Sequence, residues 1–248
     1  MSTTSFTLTN FNVTDEDLKA YFKQLQTQKA NTDINVIFEL NLLNKSLFPK
    51  INLSSNATWK DYLSSWIAKF NNADKLPPSK KVANPSGAPN DYLVSKIVQT
   101  ALNLPSDKLD DIKKYHALAM QVENIQGGLL EEYIASKVSK CDWIWCKGET
   151  VKSVDFCTKD CKTLLQIKNK YNTENSSSSN IRQGTTIEKW HRLGKKTVSG
   201  KPVAIFMWDN LNKIIKDKGN GLDPKLSEKD FEKFIVEVVS RNQKIIIY

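Results

Sequence analysis

The chain has 248 residues, 40% of them apolar, which is enough for a real core without disulfides. Thirty-six Lys and Arg against 27 Asp and Glu leave a net charge of +9 and a pI near 9.2, so a polyanion, nucleic acid above all, is the favoured partner. No apolar run approaches bilayer-spanning length, and a cytoplasmic protein is expected; the two histidines, His116 and His191, argue against a histidine-rich metal cage.

In chain order, residues 1–85 read as a mainly helical region serving as frame, dimer surface or DNA clamp. Thr14 with Asp17 makes a capping-box-like start for DEDLKAYFKQLQTQ, and Thr58 precedes WKDYLSSWIAKF, whose apolar residues fall at helical spacing. The segment KLPPSKKVANPSGAPNDY, residues 75–92, holds four prolines and a glycine and reads as an irregular connection. Asn90 or Asp91 caps the next helix, YLVSKIVQTAL, and another begins near Ser106.

Residues 86–248 read as the catalytic domain. GGLLEEYIASKV, from Gly127, is a helix; WIWCKGETVKSVDFC and KTLLQIKNK are two strands joined through the turn TKDC. Thr186, Ile187 and Trp190 suggest a further capped helix. KPVAIFMW reads as a buried strand, Ser227 and Asp230 open a helix through FEKFIVEVV, and QKIIIY closes the chain as a strand. This order implies an α/β (α+β) fold with a mixed central β-sheet flanked by helices.

Strand alternation puts Gln166 and Lys168 on one face, and a turn centred near Asp160 sets Asp155 opposite Gln166. Asp155, about ten residues, then Gln166-x-Lys168 resembles the Asp…(acid)-x-Lys pattern of the PD-(D/E)xK nucleases, with glutamine here in place of the acid. Hydrolysis of a phosphodiester calls for a hard divalent cation on oxygen ligands, which Asp155 and the Gln166 amide oxygen can supply, while Lys168 holds or polarises the attacking water. A further carboxylate is needed. On the upstream helix Leu130, Ile134 and Val138 mark the buried face, which puts Glu131 on its flank and turns Glu132 nearly away, so Glu131 is the expected extra metal ligand.

Residues 169–196 then form a polar, basic segment suited to DNA contact. Asn172, Asn175, Ser178, Asn180 and Arg182 are candidates for base reading, and Lys170, Lys189, Arg192, Lys195 and Lys196 for phosphate binding.

The ordered set GGLLEEYIASKV, WIWCKGETVKSVDFC, LLQIKNK and NTENSSSSNIRQGTTIEKWHRL resembles type II restriction endonucleases, most of all the SinI-like group of the PD-(D/E)xK superfamily, over roughly residues 127–210. The resemblance implies a PD-(D/E)xK core, Mg²⁺-dependent double-strand cleavage of DNA, a homodimer on a palindromic site, and a cognate DNA methyltransferase as genetic partner. Asp155 resembles the first motif acid, Gln166 the variable second one, Lys168 the lysine and Glu131 the helix acid. The QxK form also permits a modification-dependent or structure-selective nuclease. A different class remains open through Cys141, Cys146, Cys157 and Cys161, whose C-x4-C-x10-C-x3-C spacing could hold zinc in a non-catalytic nucleic-acid-binding module.

Overall fold

The N-terminal region is organised by its helix caps. Thr14 accepts a hydrogen bond from the Asp17 N–H at the start of α1 (Asp15–Leu25), and Thr58 and Asp61 form a reciprocal capping box at the start of α3 (Trp59–Lys75). Between them, α2 (Thr32–Leu43) buries Ile34, Ile37, Phe38 and Leu40. β1 (Thr3–Phe6) and β2 (Ile51–Ser54) pair antiparallel in a small sheet that the helical reading of residues 1–85 did not include. Phe22 stacks on Phe38, and Trp66 packs against both, which fixes α1, α2 and α3 around one aromatic centre. The computed structural model describes residues 2–26, 32–82, 92–170 and 186–246.

α4 (Tyr92–Leu102) leads into α5 (Ser106–Val138), a single 33-residue helix about 50 Å long. GGLLEEYIASKV is the last third of α5, and its two glycines do not break it. Beyond it lies a five-stranded sheet: β3 (Trp143–Trp145), β4 (Phe156–Thr158), β5 (Thr163–Lys170), β6 (Thr186–Val198) and β7 (Lys201–Phe206), in that spatial order. Only the β5–β6 pair is parallel, so the sheet is mixed. α6 (Trp208–Lys218) and α7 (Glu228–Arg241) follow, the latter capped by Ser227 through the Asp230 N–H. The fold is α+β, with a mixed sheet flanked by helices.

Each face of the sheet has its own apolar cluster. Ile144, Cys157 and Leu164 join the N-terminal helices on one face; Trp143, Phe156, Leu165, Ile167 and Trp190 join α5, α6 and α7 on the other. Successive residues Leu164, Leu165 and Ile167 divide between the faces as a strand requires. The N-terminal region is therefore packed directly against the sheet that carries the candidate site.

Four local expectations are corrected. WIWCKGETVKSVDFC is not one strand: β3 ends at Trp145, a 3-10 turn spans Lys147–Glu149, and the chain re-enters the sheet at Phe156. Residues 186–193 are strand β6, not a helix. Ile187 packs into the first cluster and Trp190 into the second, and a three-residue separation that looks helical also sends two side chains to opposite faces of a strand. KPVAIFMW supplies β7, yet as an exposed edge strand, with Val203 45% and Phe206 51% accessible. Finally, residues 243–246 of the expected terminal strand form a turn and a bend, with Ile245 buried in the second cluster; residues 247 and 248 lie outside the described set.

Candidate active site

Phe156 of β4 pairs with Leu165 of β5, which sets Asp155 across from Gln166, and the Asp155 N–H donates to the Leu165 carbonyl at 3.0 Å. The turn between the strands closes on Asp160, whose Oδ1 accepts from the Thr158 hydroxyl and the Lys162 N–H. Asp155 Oδ2 accepts from the Ile167 N–H at 2.6 Å, which locks the carboxylate over the strand that carries Gln166 and Lys168. Gln166 is buried, at 5% exposure, and Lys168 is exposed at the mouth.

The loop that delivers Asp155 is pinned by the N-terminal region. Trp66 Nε1 donates to the Thr150 carbonyl at 2.9 Å, Asn41 Nδ2 reaches the same carbonyl at 3.3 Å, and the Lys152 N–H donates to the Leu47 carbonyl at 2.8 Å. Gly148 sits at φ +74° with its Cα so close to α3 that a Cβ would stand 2.6 Å from the Lys69 carbonyl oxygen. No side chain fits there.

α5 brings Glu131 to the same place. Trp145 Nε1 donates to Glu131 Oε2 at 3.1 Å. Glu132, one residue on, accepts instead from the Ser79 N–H and hydroxyl and ties α5 to the 3-10 turn Pro78–Lys80. Glu131, Asp155, Gln166 and Lys168 all line one cleft of about 940 Å³, together with Lys50, Lys69, Lys81 and Lys152. Burial, followed by the charge of Asp155, pushes the Glu131 carboxyl up to about 8, against smaller opposing effects of the Trp145 bond and Lys168. Burial raises Asp155 to about 6, while the Ile167 N–H and Lys168 partly offset it.

Two half-buried carboxylates that repel one another, beside the Gln166 amide and within a ring of lysines, form a hard-oxygen donor set suited to a divalent cation, because the cation relieves the charge that desolvation penalises. Oδ2 of Asp155 and Oε2 of Glu131 are engaged as described, and Oδ1 and Oε1 lie outside those two bonds. The chemistry of this donor set, two carboxylates and an amide, fits a hard divalent cation.

The cysteines do not assemble. Cys146 and Cys157 are buried in the first cluster with Cys161 against it, whereas Cys141 belongs to the second cluster across the sheet. This separation leaves no four-cysteine zinc site, and the zinc-stabilised reading is corrected accordingly.

The proposed DNA-contact residues fall into three groups. Asn172, Asn175, Ser178, Asn180 and Arg182 lie outside the described residues. Lys189, Lys195 and Lys196 are exposed on β6, and Lys170 is exposed while paired with Glu123 of α5 at 2.6 Å. Arg192 is placed differently from the expectation that it meets phosphate. It is 5% exposed, bonded to Glu228 and to Asn169 Oδ1 at 2.8 Å, and set between Phe206 and Phe231. On a strand, Arg192 shares the face of Trp190 and so turns into the helices; on the helix expected from sequence it would have been free to turn outward.

Sequence reasoning missed Trp145, the partner of Glu131, and the anchoring pair Trp66 and Gly148. A glycine between charged residues, KGE, was the one available signal, since positive φ and close approach are what glycine permits.

A model of the SinI restriction endonuclease family matches residues 60–241. The chain is 37% identical over 226 residues to the type II restriction enzyme SinI of Salmonella infantis, covering 86% of this chain and 92% of that one. It is 38% identical over 191 residues to the type II restriction enzyme Eco47I of Escherichia coli, covering 75% and 76%. With the family model spanning most of the chain, and with it the cleft that holds Glu131, Asp155, Gln166 and Lys168, this protein belongs to the SinI restriction endonuclease family.

Proposed function

We propose that this type II restriction endonuclease makes sequence-specific double-strand cuts in DNA by hydrolysing one phosphodiester in each strand, with Mg²⁺ as cofactor and as a homodimer. The observation that carries the reading is the convergence of Glu131, Asp155, Gln166 and Lys168 in one lysine-lined cleft against the central strand β5 of the mixed sheet. Asp155 and Glu131 hold the cation with the Gln166 amide oxygen, and the cation, when bound, offsets charge building on the phosphate and acidifies water. Lys168, at the mouth, holds the attacking water and balances the charge of the phosphate. The Ile167 N–H and the Trp145 indole keep the two carboxylates oriented before DNA arrives.

Residues 86–248 act as the catalytic domain. The helical region 1–85 serves as its frame and as one wall of the cleft, a role supported by the bonds from Trp66 and Leu47 to the Asp155 loop. Residues 169–196 contact DNA, and a cognate methyltransferase protects the host sites. Two copies suit a twofold-symmetric site, each cutting one strand.

Incubation with unmodified and methylated phage DNA and Mg²⁺ tests the reading. Discrete fragments from unmodified DNA are expected, absent with EDTA and absent in Asp155→Ala and Lys168→Ala proteins that still bind DNA. Intact DNA under binding conditions would overturn it, and fragments from methylated DNA alone would reassign the enzyme as modification-dependent.

A further inference from the structure

The parallel pairing of β5 with β6 places Lys189 opposite Gln166 and His191 opposite Lys168. One row earlier Leu164 faces Ile187, and both belong to the first apolar cluster; between the rows Ile167 faces Trp190, and both are buried in the second. Alternation therefore puts Lys189 and His191 on the catalytic face, one strand spacing of about 4.8 Å from Gln166 and Lys168. The β6–β7 pairing begins only at Leu193. In this stretch Lys189 and His191 border a recess of about 550 Å³, lined also by Lys195, Met207 and Asn210 and separate from the catalytic cleft. Lys189 is exposed and His191 half-buried, with Nδ1 3.3 Å from the Lys170 carbonyl oxygen.

From this geometry we propose that His191 and Lys189 form a second phosphate-binding site, for the DNA phosphate adjacent to the scissile one. The proposal rests on the nuclease reading of the Asp155 cleft. The contact of Nδ1 with the Lys170 carbonyl orients the ring, and its Nε2 edge meets a non-bridging phosphate oxygen. Lys189 adds a point charge on the same row as Gln166. A strand held at two successive phosphates cannot slide or tilt in the cleft, so the site positions the scissile bond for Lys168 and takes no part in the bond exchange itself.

The test uses a duplex that carries the cleavage site mapped on phage DNA, and copies of it with one neutral methylphosphonate at each position in turn. Single-turnover cleavage is measured for wild type, His191→Ala and His191→Gln, with thermal melting to confirm folding. Neutralising the adjacent phosphate is expected to slow wild type by about tenfold to a hundredfold, the range of a charge-assisted hydrogen bond. His191→Ala is expected to show a comparable loss on the unsubstituted duplex and a smaller added loss on that one copy than wild type, the remainder belonging to Lys189, and His191→Gln, which keeps an N–H donor, to recover part of the rate. Lys189→Ala should lower the salt dependence of DNA binding by about one counterion. Wild-type cleavage by His191→Ala, or losses that multiply at every methylphosphonate position, would overturn the proposal. Should wild type cut nothing, the nuclease reading fails on that result, and the salt dependence of binding decides the phosphate contact by itself: an unchanged slope in both variants refutes it, and a lowered slope supports it without the scissile assignment.

Discussion

Replacing Glu131 by glutamine isolates the electrostatic strain of the metal-free site. Gln keeps the shape and an oxygen for the Trp145 indole N–H, which now reaches Glu131 Oε2 at 3.1 Å, and removes only the ionisation. An unfolded glutamate ionises near 4.5, whereas Glu131 in the fold holds its proton to about 8, because it is buried and because Asp155, which ionises near 6, repels its charge. Between those two values the folded state binds more protons than the unfolded one, so this group makes the protein less stable as pH rises from 4.5 toward 8. At about 1.4 kcal/mol per pH decade, the span sets a ceiling of about 5 kcal/mol. Local relaxation and water entry around a cleft reduce this, and about 2–3 kcal/mol is expected. Urea unfolding in EDTA, with a slope of about 3 kcal/mol/M, should therefore show the variant unfolding about 1 M later than wild type at pH 8.5 and together with it near pH 5. Added Mg²⁺ should close the gap by stabilising wild type, while the variant loses cleavage. A difference between variant and wild type that stays flat from pH 5 to pH 8.5 would refute the reasoning, since titrating groups that do not interact with position 131 cancel in that comparison.

The same carboxylates predict that Mg²⁺ affinity, measured by calorimetry, falls as pH drops from about 8 to below 6, because protons compete for both ligands. Gly148→Ala, which forces a Cβ against the Lys69 carbonyl at positive φ, should cost about 2–4 kcal/mol in thermal unfolding and slow cleavage by disturbing the Asp155 loop. Arg192→Met leaves Glu228 without its guanidinium partner and should cost about 3 kcal/mol, with no change in the salt dependence of DNA binding; a lowered dependence would return Arg192 to the DNA-contacting set.

Much of this molecule was legible because its signals are local. Thr14, Thr58 and Ser227 cap helices through side-chain geometry that needs only three neighbouring residues, and all three caps form. The placing of Asp155 against Gln166 follows from a short turn around Asp160 and the period of two in a strand, both of which act within a dozen residues. The flank position of Glu131 comes from the helical period in the same way.

What the sequence alone could not decide was every assignment that depends on which surface covers an element. Ile187 and Trp190 are three apart, a spacing shared by one face of a helix and two faces of a strand, and only the presence of β5 as a parallel partner with apolar clusters on both sides selects the strand. That choice redistributes the basic residues: Arg192 turns inward to Glu228, while Lys189 and His191 come to stand beside Gln166 and Lys168. Likewise, nothing near Trp66 or Leu47 announces that each will hold the loop ahead of Asp155, because those bonds join residues about a hundred apart in the chain and exist only once the N-terminal helices have packed on the sheet. The sequence determined which residues could do the chemistry; long-range packing decided which of them share the face where it is done.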